Sequence, residues 1–402
     1  MPGARLHYAV PALLAAQDAL AAFYTDIHGE HRLLQLLAKL PAVRRPAALS
    51  RLLARRLPPG LDRQLVREVA IATLAAHLPP LMRRGSTSNA GAVELVDRAV
   101  IKRAIADEFG GASALYSCFI NNDREAVRTA KSLGMHVVHE LFIGADYPQV
   151  LYEERALFPG IEEQEHSPAD IEAHQERTRQ KWQLCDQVLV PSQHVYDSSL
   201  QLGCDPAKLA IVPYGLNAHW LALEADPQPG RILCVGHVGL RKGNHYLAQA
   251  CSLLRQRHVR FECRVAGPLQ VDVSDQLFAG PTYLGTIPRS RIQEEFRKAD
   301  LFVLPTLADS FGLVHLEAMA CGVPVITTPN CGSIIRDGIE GFVVPIRDAA
   351  ALADRMEQLL GDPALRRQMG QAARHRAAAY TWEHYGRRLQ AALGIEKPAP
   401  VQ

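Results

Sequence analysis

The chain contains Leu301-Phe302-Val303-Leu304-Pro305-Thr306-Leu307-Ala308-Asp309-Ser310-Phe311-Gly312-Leu313-Val314-His315-Leu316-Glu317-Ala318-Met319-Ala320, and this stretch decides the fold. Four consecutive apolar residues without polar alternation read as a strand buried on both faces, the habit of parallel sheets covered by helices. Pro305 stops the strand, a loop follows, and a helix is expected through Glu317, Ala318, Met319 and Ala320. In an open α/β sheet, ligands lie outside the carboxyl ends of the strands. The loop from Asp309 to Leu313 is therefore positioned to bind something.

The same alternation of apolar runs and helical patterns extends in both directions. In the C-terminal half, strands are expected at 231–235, 261–266, 323–327 and 342–344; in the N-terminal half, at 112–118, 135–140, 187–191 and 209–213. Amphipathic stretches such as 124–133 and 170–184 separate them. A polar break at 216–231, carrying Asn217, Asp226, Pro227, Pro229 and Gly230, divides two α/β layers and is the expected hinge. The expected domains are 1–216, 217–380, and a C-terminal helix and tail over 381–402. Residues 1–23 read as a short strand and helix of the mature fold: Gln17 and Asp18 interrupt the apolar run.

Two segments carry chemistry. Gly312 permits close backbone approach, and N–H groups from Ser310 to Val314 at a helix start form an anion site aided by the helix dipole, with phosphate as the obvious occupant. Glu317, a turn into that helix, can accept two hydrogen bonds from a vicinal diol such as ribose. The second segment is Val235-Gly236-His237 followed by Arg241-Lys242-Gly243 and a helix. Cations at a helix N-terminus oppose the dipole unless an anion is held there, which points to a second phosphate contact. Neither G-x-x-x-x-G-K-[ST] nor G-x-G-x-x-G occurs.

Composition narrows the classes. The 402 residues are 48% hydrophobic and 21% charged, which excludes a disordered chain. With 44 Lys/Arg against 42 Asp/Glu, the formal charge of +2 gives no reason to expect a nucleic-acid binder. Residues 30–84, however, hold eleven basic side chains against three acidic ones, a local +8. That stretch is expected to form helices punctuated by prolines, and to be either a solvated face or a site for anionic headgroups or substrate. Eight scattered cysteines without a C-x-x-C pair or clustered His residues speak against a disulfide framework or structural zinc and fit a reducing cytosol.

These residues resemble the retaining glycosyltransferases of family 4, with the GT-B fold of two Rossmann-like parallel-sheet domains facing each other across a cleft. Val212-Pro213-Tyr214-Gly215-Leu216-Asn217 is similar to the family's V-P-x-G-V-D segment, Val235-Gly236-His237 with Arg241-Lys242-Gly243 to its V-G-R…K-G segment, and residues 309–326 to E-x-F-G-L-x-x-x-E-A-M-A-x-G-x-P-V-I. Over residues 1–110 the similarity is weak, as expected of an acceptor-reading half. The resemblance implies that Gly236, His237, Arg241 and Lys242 hold the donor diphosphate, and that Ser310, Phe311, Gly312 and Leu313 contact phosphate and sugar. It further implies that Glu317 binds ribose hydroxyls, Asp309 hexose hydroxyls, Ile287 the base through its backbone, and His139 a sugar hydroxyl.

Three positions depart from the pattern. Asp309 replaces a Glu, His237 replaces an Arg, and the glycine-rich loop after the first strand is missing from residues 8–17. The implied reaction moves a hexosyl unit from a UDP- or GDP-linked sugar to a hydroxyl acceptor with retention, using no metal or other cofactor; no D-x-D sequence occurs. A glycan or lipid-linked acceptor is expected, in a cytoplasmic protein attached peripherally to an anionic membrane face through residues 30–84. The alternative is a catalytically silent nucleotide-sugar-binding assembly partner.

Overall fold

A computed structural model describes residues 8–38, 52–58, 60–77 and 89–395. The chain divides into two compact units, one of residues 1–140, 177–189 and 390–402, the other of 141–176 and 190–389. Both are α/β.

The second unit is built on six parallel strands in the order Gly341–Val343, Val325–Thr327, Leu301–Leu304, Arg231–Val235, Glu262–Ala266, Thr282–Gly285. Leu301–Leu304 is buried throughout, as its unbroken apolar run requires, and Ile232, Leu233, Val325 and Ile326 pack beside it with 1% exposure or less. From Arg231–Val235 the chain adds strands in one direction as far as Thr282–Gly285, then returns to add three on the other side. The neighbouring strands Arg231–Val235 and Leu301–Leu304 thus flank the point where strand order reverses, and the loops leaving them part to form a crevice. Those are the two loops singled out by composition.

In the first unit, Ala114–Ser117, His136–Glu140 and Gln187–Val190 run parallel in that order. A separate parallel pair joins Phe23–Thr25 to Val66–Glu68. One expectation is corrected here. Residues 30–84 are not helical throughout: Val66–Glu68 is a strand, hidden from pattern reading because two of its three residues are charged. Residues 9–15 form a helix, as expected within 1–23, and the first described strand, Phe23–Thr25, is followed by Gly29, where a Cβ would press on the backbone of Leu53 and Arg55. The strand expected at the start of residues 1–23 falls on residues 1–7, outside the described residues.

The segment before the expected hinge is tied to the start of the C-terminal helix, Trp382–Leu393. Leu216 N–H donates to Tyr380 O (2.7 Å) and Trp382 N–H to Leu216 O (3.1 Å). Tyr385 packs edge-on against Tyr214. Farther along, Ala392 O accepts a bond from Gln187 Nε2 (2.7 Å).

Candidate functional site

The two crevice loops are joined into one structure. After Val235 the chain passes Gly236 (φ 153°) and makes a 3-10 turn, Leu240–Lys242, closed by Gly243 at φ 68°. A Cβ on Gly243 would overlap the Pro305 carbonyl oxygen, so only glycine lets this turn rest on the loop after Leu304. Arg241 O accepts hydrogen bonds from Leu307 N–H (2.9 Å) and Thr306 Oγ1 (3.1 Å), and the Arg241 guanidinium donates to Ala308 O (3.2 Å). The buried Lys242 ammonium forms an ion pair with the Asp309 carboxylate. Burial would raise the Asp309 carboxyl, but Lys242, Arg241 and the Ser310 N–H outweigh it and hold it below the usual carboxylate range.

This pair revises the electrostatic argument. One cation of the turn is already balanced within the protein: Asp309 pairs with Lys242, whereas the Arg241 guanidinium bonds the uncharged Ala308 O, and Glu162 Oε1 accepts the Leu240 N–H (2.8 Å) at the start of the turn. The side chain of Glu162 is held in turn by Arg155 Nε (3.2 Å). His237 is exposed, and partial burial together with Arg241 and Lys242 pushes its imidazole below the usual range. It therefore supplies no fixed positive charge at neutral pH.

Nor are all the N–H groups of the following loop available. Ser310 N–H donates to Asp309 Oδ1 (2.9 Å), Gly312 N–H to Cys331 O (3.2 Å) and Leu313 N–H to Phe311 O (3.0 Å). Those of Phe311 and Val314 make no hydrogen bond to another described residue. Gly312 is needed for internal packing: its Cβ would stand 2.9 Å from Cys331 Sγ and 3.0 Å from His315 Nδ1 and Leu304 Cδ2. Glu317 lies on the helix Leu313–Ala320, partly exposed, where burial pushes its carboxyl up to about 7 against the pull of Arg289.

The structure thus brings Gly236, His237, Arg241, Lys242, Asp309, Ser310, Phe311, Gly312, Leu313 and Glu317 onto two adjoining loops and one helix of the second unit. Ile287, half-buried, follows the edge strand Thr282–Gly285 of the same sheet. His139 belongs to the first unit, buried on the strand His136–Glu140, with Nδ1–H donating to Ser117 O (3.2 Å).

Pattern reading missed the residues that hold these loops. Asn330 Nδ2 donates to Leu307 O (2.8 Å) and Asn330 O accepts Asp309 N–H (2.9 Å). Ser192 Oγ donates to Ser310 O (2.7 Å). Pro329 beside Asn330 is a turn signal that could have marked the first; Ser192, 118 residues from its partner, gave no signal.

A doubly wound parallel sheet with two joined loops at its switch point defines a Rossmann-like unit, and the first unit is also parallel α/β, its strands following in chain order. Residues 222–376 match the family described as Glycosyl transferases group 1. The match is confined to that region, and the fold class is GT-B. D-inositol 3-phosphate glycosyltransferase of Pseudarthrobacter chlorophenolicus is 35% identical over 196 residues, 43% of this chain and 46% of that protein. Glycogen synthase of Mycobacterium tuberculosis is 29% identical over 212 residues, 49% and 51% of the two chains. The chain spans about half the length of the curated relatives it matches. Among solved structures, sucrose-phosphate synthase from Thermosynechococcus elongatus superposes with TM-score 0.64 at 18% identity, over 98% of this chain and 93% of that one. Anabaena HepE in complex with UDP and glucose does so with TM-score 0.60 at 15% identity, over 98% and 96%. At these identities the likeness is one of fold.

Proposed function

We propose that the chain is a retaining, metal-independent hexosyltransferase that moves a sugar from a UDP- or GDP-linked donor to an acceptor hydroxyl. The observation that carries this reading is the joining of the two crevice loops, which sets Lys242 and Arg241 beside Asp309, with the Phe311 N–H following in the loop and the Val314 N–H and Glu317 on the helix that the loop enters. The bond from the anomeric carbon to the diphosphate oxygen breaks, a bond to the acceptor oxygen forms, and the acceptor's proton leaves with the diphosphate. Negative charge grows on the leaving group, so fixed cations and aligned N–H groups favour the transition state over the ground state. Asp309 takes hexose hydroxyls, Glu317 the ribose diol, and Ile287 the base. The Nδ1–H of His139 is committed to Ser117 O, which makes Nε2 the acceptor nitrogen for a sugar hydroxyl. A thermal-shift panel of nucleotides and nucleotide sugars, followed by transfer assays, tests the reading. No stabilisation by any nucleoside diphosphate would overturn it.

Glu317 gives the site a pH dependence. Accepting two hydroxyl hydrogen bonds requires the ionised carboxylate, and its carboxyl titrates near 7. Affinity for the nucleoside diphosphate is expected to rise from about pH 6 to about pH 8 as the group ionises, and Glu317→Gln to flatten that rise. The stability effect has the opposite sign. The folded pKa is raised, so stability falls as pH climbs from about 4.3, the unfolded value, to about 7.

We further infer peripheral attachment to an anionic membrane surface in support of a lipid-linked acceptor. Arg32 and Arg56 are exposed, and Leu36 (59%) and Ile71 (82%) expose large apolar side chains nearby in sequence. Arg55, Arg63 and Arg67 instead pair with Asp26, Glu30 and Asp107. Lys39, Arg44, Arg45, Arg51, Arg83 and Arg84 lie outside the described residues. No described helix is long and apolar enough to cross a membrane. Sedimentation with phosphatidylglycerol vesicles is expected to weaken on Arg32→Gln, Arg56→Gln and Leu36→Asn together; binding indifferent to both lipid charge and these changes returns the stretch to a solvated face.

A further inference from the structure

We propose that Asp146 and His194 form a hydroxyl-binding subsite beside the donor loop, taking one hydroxyl of a sugar between a carboxylate oxygen and an imidazole N–H. The proposal deepens the transferase reading and rests on it for the identity of the ligand.

Asp146 immediately precedes the helix Tyr147–Leu157, and His194 is the second residue of the helix Gln193–Gln201. Each follows a strand of one parallel pair, His136–Glu140 and Gln187–Val190, so both stand at carboxyl ends, where α/β sheets place ligands. His194 Nε2 lies 3.4 Å from Asp146 Oδ2. Both His194 Nε2 and Asp146 Oδ1 are buried atoms that make no hydrogen bond to another described residue. A buried polar atom left so costs about 1–3 kcal/mol unless a partner arrives from outside the chain. Here one potential donor and one acceptor lie side by side, and a single hydroxyl satisfies both: its oxygen accepts from Nε2–H and its proton goes to Oδ1.

The space for the carboxylate is provided by a glycine. A Cβ at Gly144 would stand 2.5 Å from Asp146 Oδ1 and 3.7 Å from His194 Nε2. The pair is also anchored to the donor side. Ser192, the cap of the helix carrying His194, donates Oγ to Ser310 O (2.7 Å), and Ser310 sits between Asp309 and Phe311. His194 is two residues along from that anchor. All of these residues belong to the second unit. The hydroxyl comes from the donor hexose or from a carbohydrate acceptor, the chemistry being the same.

Calorimetry on the full chain with UDP, UDP-glucose, GDP and GDP-mannose, on wild type, His194→Ala, Asp146→Asn and Gly144→Ala, tests this. If the donor hexose supplies the hydroxyl, the variants lose about tenfold affinity or more for the nucleotide sugar while the bare diphosphate stays within about twofold. If the acceptor supplies it, donor affinities hold and KM for alkyl-glycoside acceptors rises by about the same factor with kcat retained. Equal weakening of diphosphate and nucleotide sugar, or no change in any constant, overturns the subsite. Absence of diphosphate binding in wild type sinks the transferase reading instead. The subsite then stands or falls on the His194 ring resonance, assigned with His194→Gln: it shifts on titration with methyl α-glucoside in wild type and not in Asp146→Asn, and a resonance that stays still overturns the proposal. Melting curves identify any variant that fails to fold, for which Gly144→Ala carries the comparison.

Discussion

Replacing Lys242 by Ala is expected to lower sugar transfer by on the order of 10²-fold or more while the chain remains folded. The ammonium is the cation nearest the Asp309 carboxylate and the one held by the glycine-closed turn, so its charge cannot be supplied from solution without reorganisation. Lys242→Arg keeps the charge on a larger, planar head and should recover part of the rate. The same substitution changes the acid limb of stability. With Lys242 present, the folded pKa of Asp309 lies below its unfolded value of about 3.9. The pair therefore stabilises fully above that value, and the contribution is lost as pH falls through the depressed folded pKa. In Lys242→Ala that acid-side slope should shrink. Transfer rates and urea melts across pH check both parts; transfer at the wild-type rate would remove Lys242 from the donor site.

The largest expected effect on stability comes from Glu154→Ala. Glu154 and His245 are fully buried, with His245 Nε2–H donating to Glu154 Oε1 (2.8 Å) and Arg347 Nε to Oε2 (2.6 Å). Removing the carboxylate strands the buried His245 imidazole and leaves Arg347 only Glu153 (3.3 Å); breaking a buried pair from one side costs about 3–5 kcal/mol. Arg347 holds φ 61°, a left-handed conformation costly for a branched-free but bulky residue, and the ion pair helps to fix it. Burial alone would raise the Glu154 carboxyl, yet the bonds from His245, Arg347 and Tyr246 hold it below the usual range. Its stabilisation is thus present above the ordinary carboxylate pKa and is lost on acidification. Glu154→Gln, which keeps an acceptor without the charge, should lose less. Denaturant midpoints decide: a loss under about 1 kcal/mol for Glu154→Ala would contradict the account. Because His245 is the second residue of the helix after Gly243, donor affinity should weaken along with stability.

Much of the second unit is legible in the sequence. Runs such as Ile232-Leu233-Cys234-Val235 and Leu301–Leu304 are local signals, since burial on both faces requires apolar side chains at every position. Gly312 was legible as a close-approach position, but what approaches it turned out to be Cys331, His315 and Leu304. In the first unit, the three-residue strand Val66–Glu68 escaped because its neighbours, not its own composition, make it a strand.

The site divides in the same way. Asp309 and Lys242 were each recognisable from their motifs; that they face one another across 67 residues of sequence was not. Nor could sequence indicate that Glu162 caps Leu240, that Ser192 anchors Ser310, or that Asp146 and His194 share a buried corner around Gly144. The sequence by itself determined the strand-loop-helix periodicity, the residue types able to meet phosphates and diols, and the family resemblance over residues 222–376. Only the tertiary structure decided which charges neutralise one another and which N–H groups are consumed internally. Periodicity and turn chemistry are set within a few residues, whereas hydrogen bonds and ion pairs form between groups that only the packed chain brings within about 3 Å.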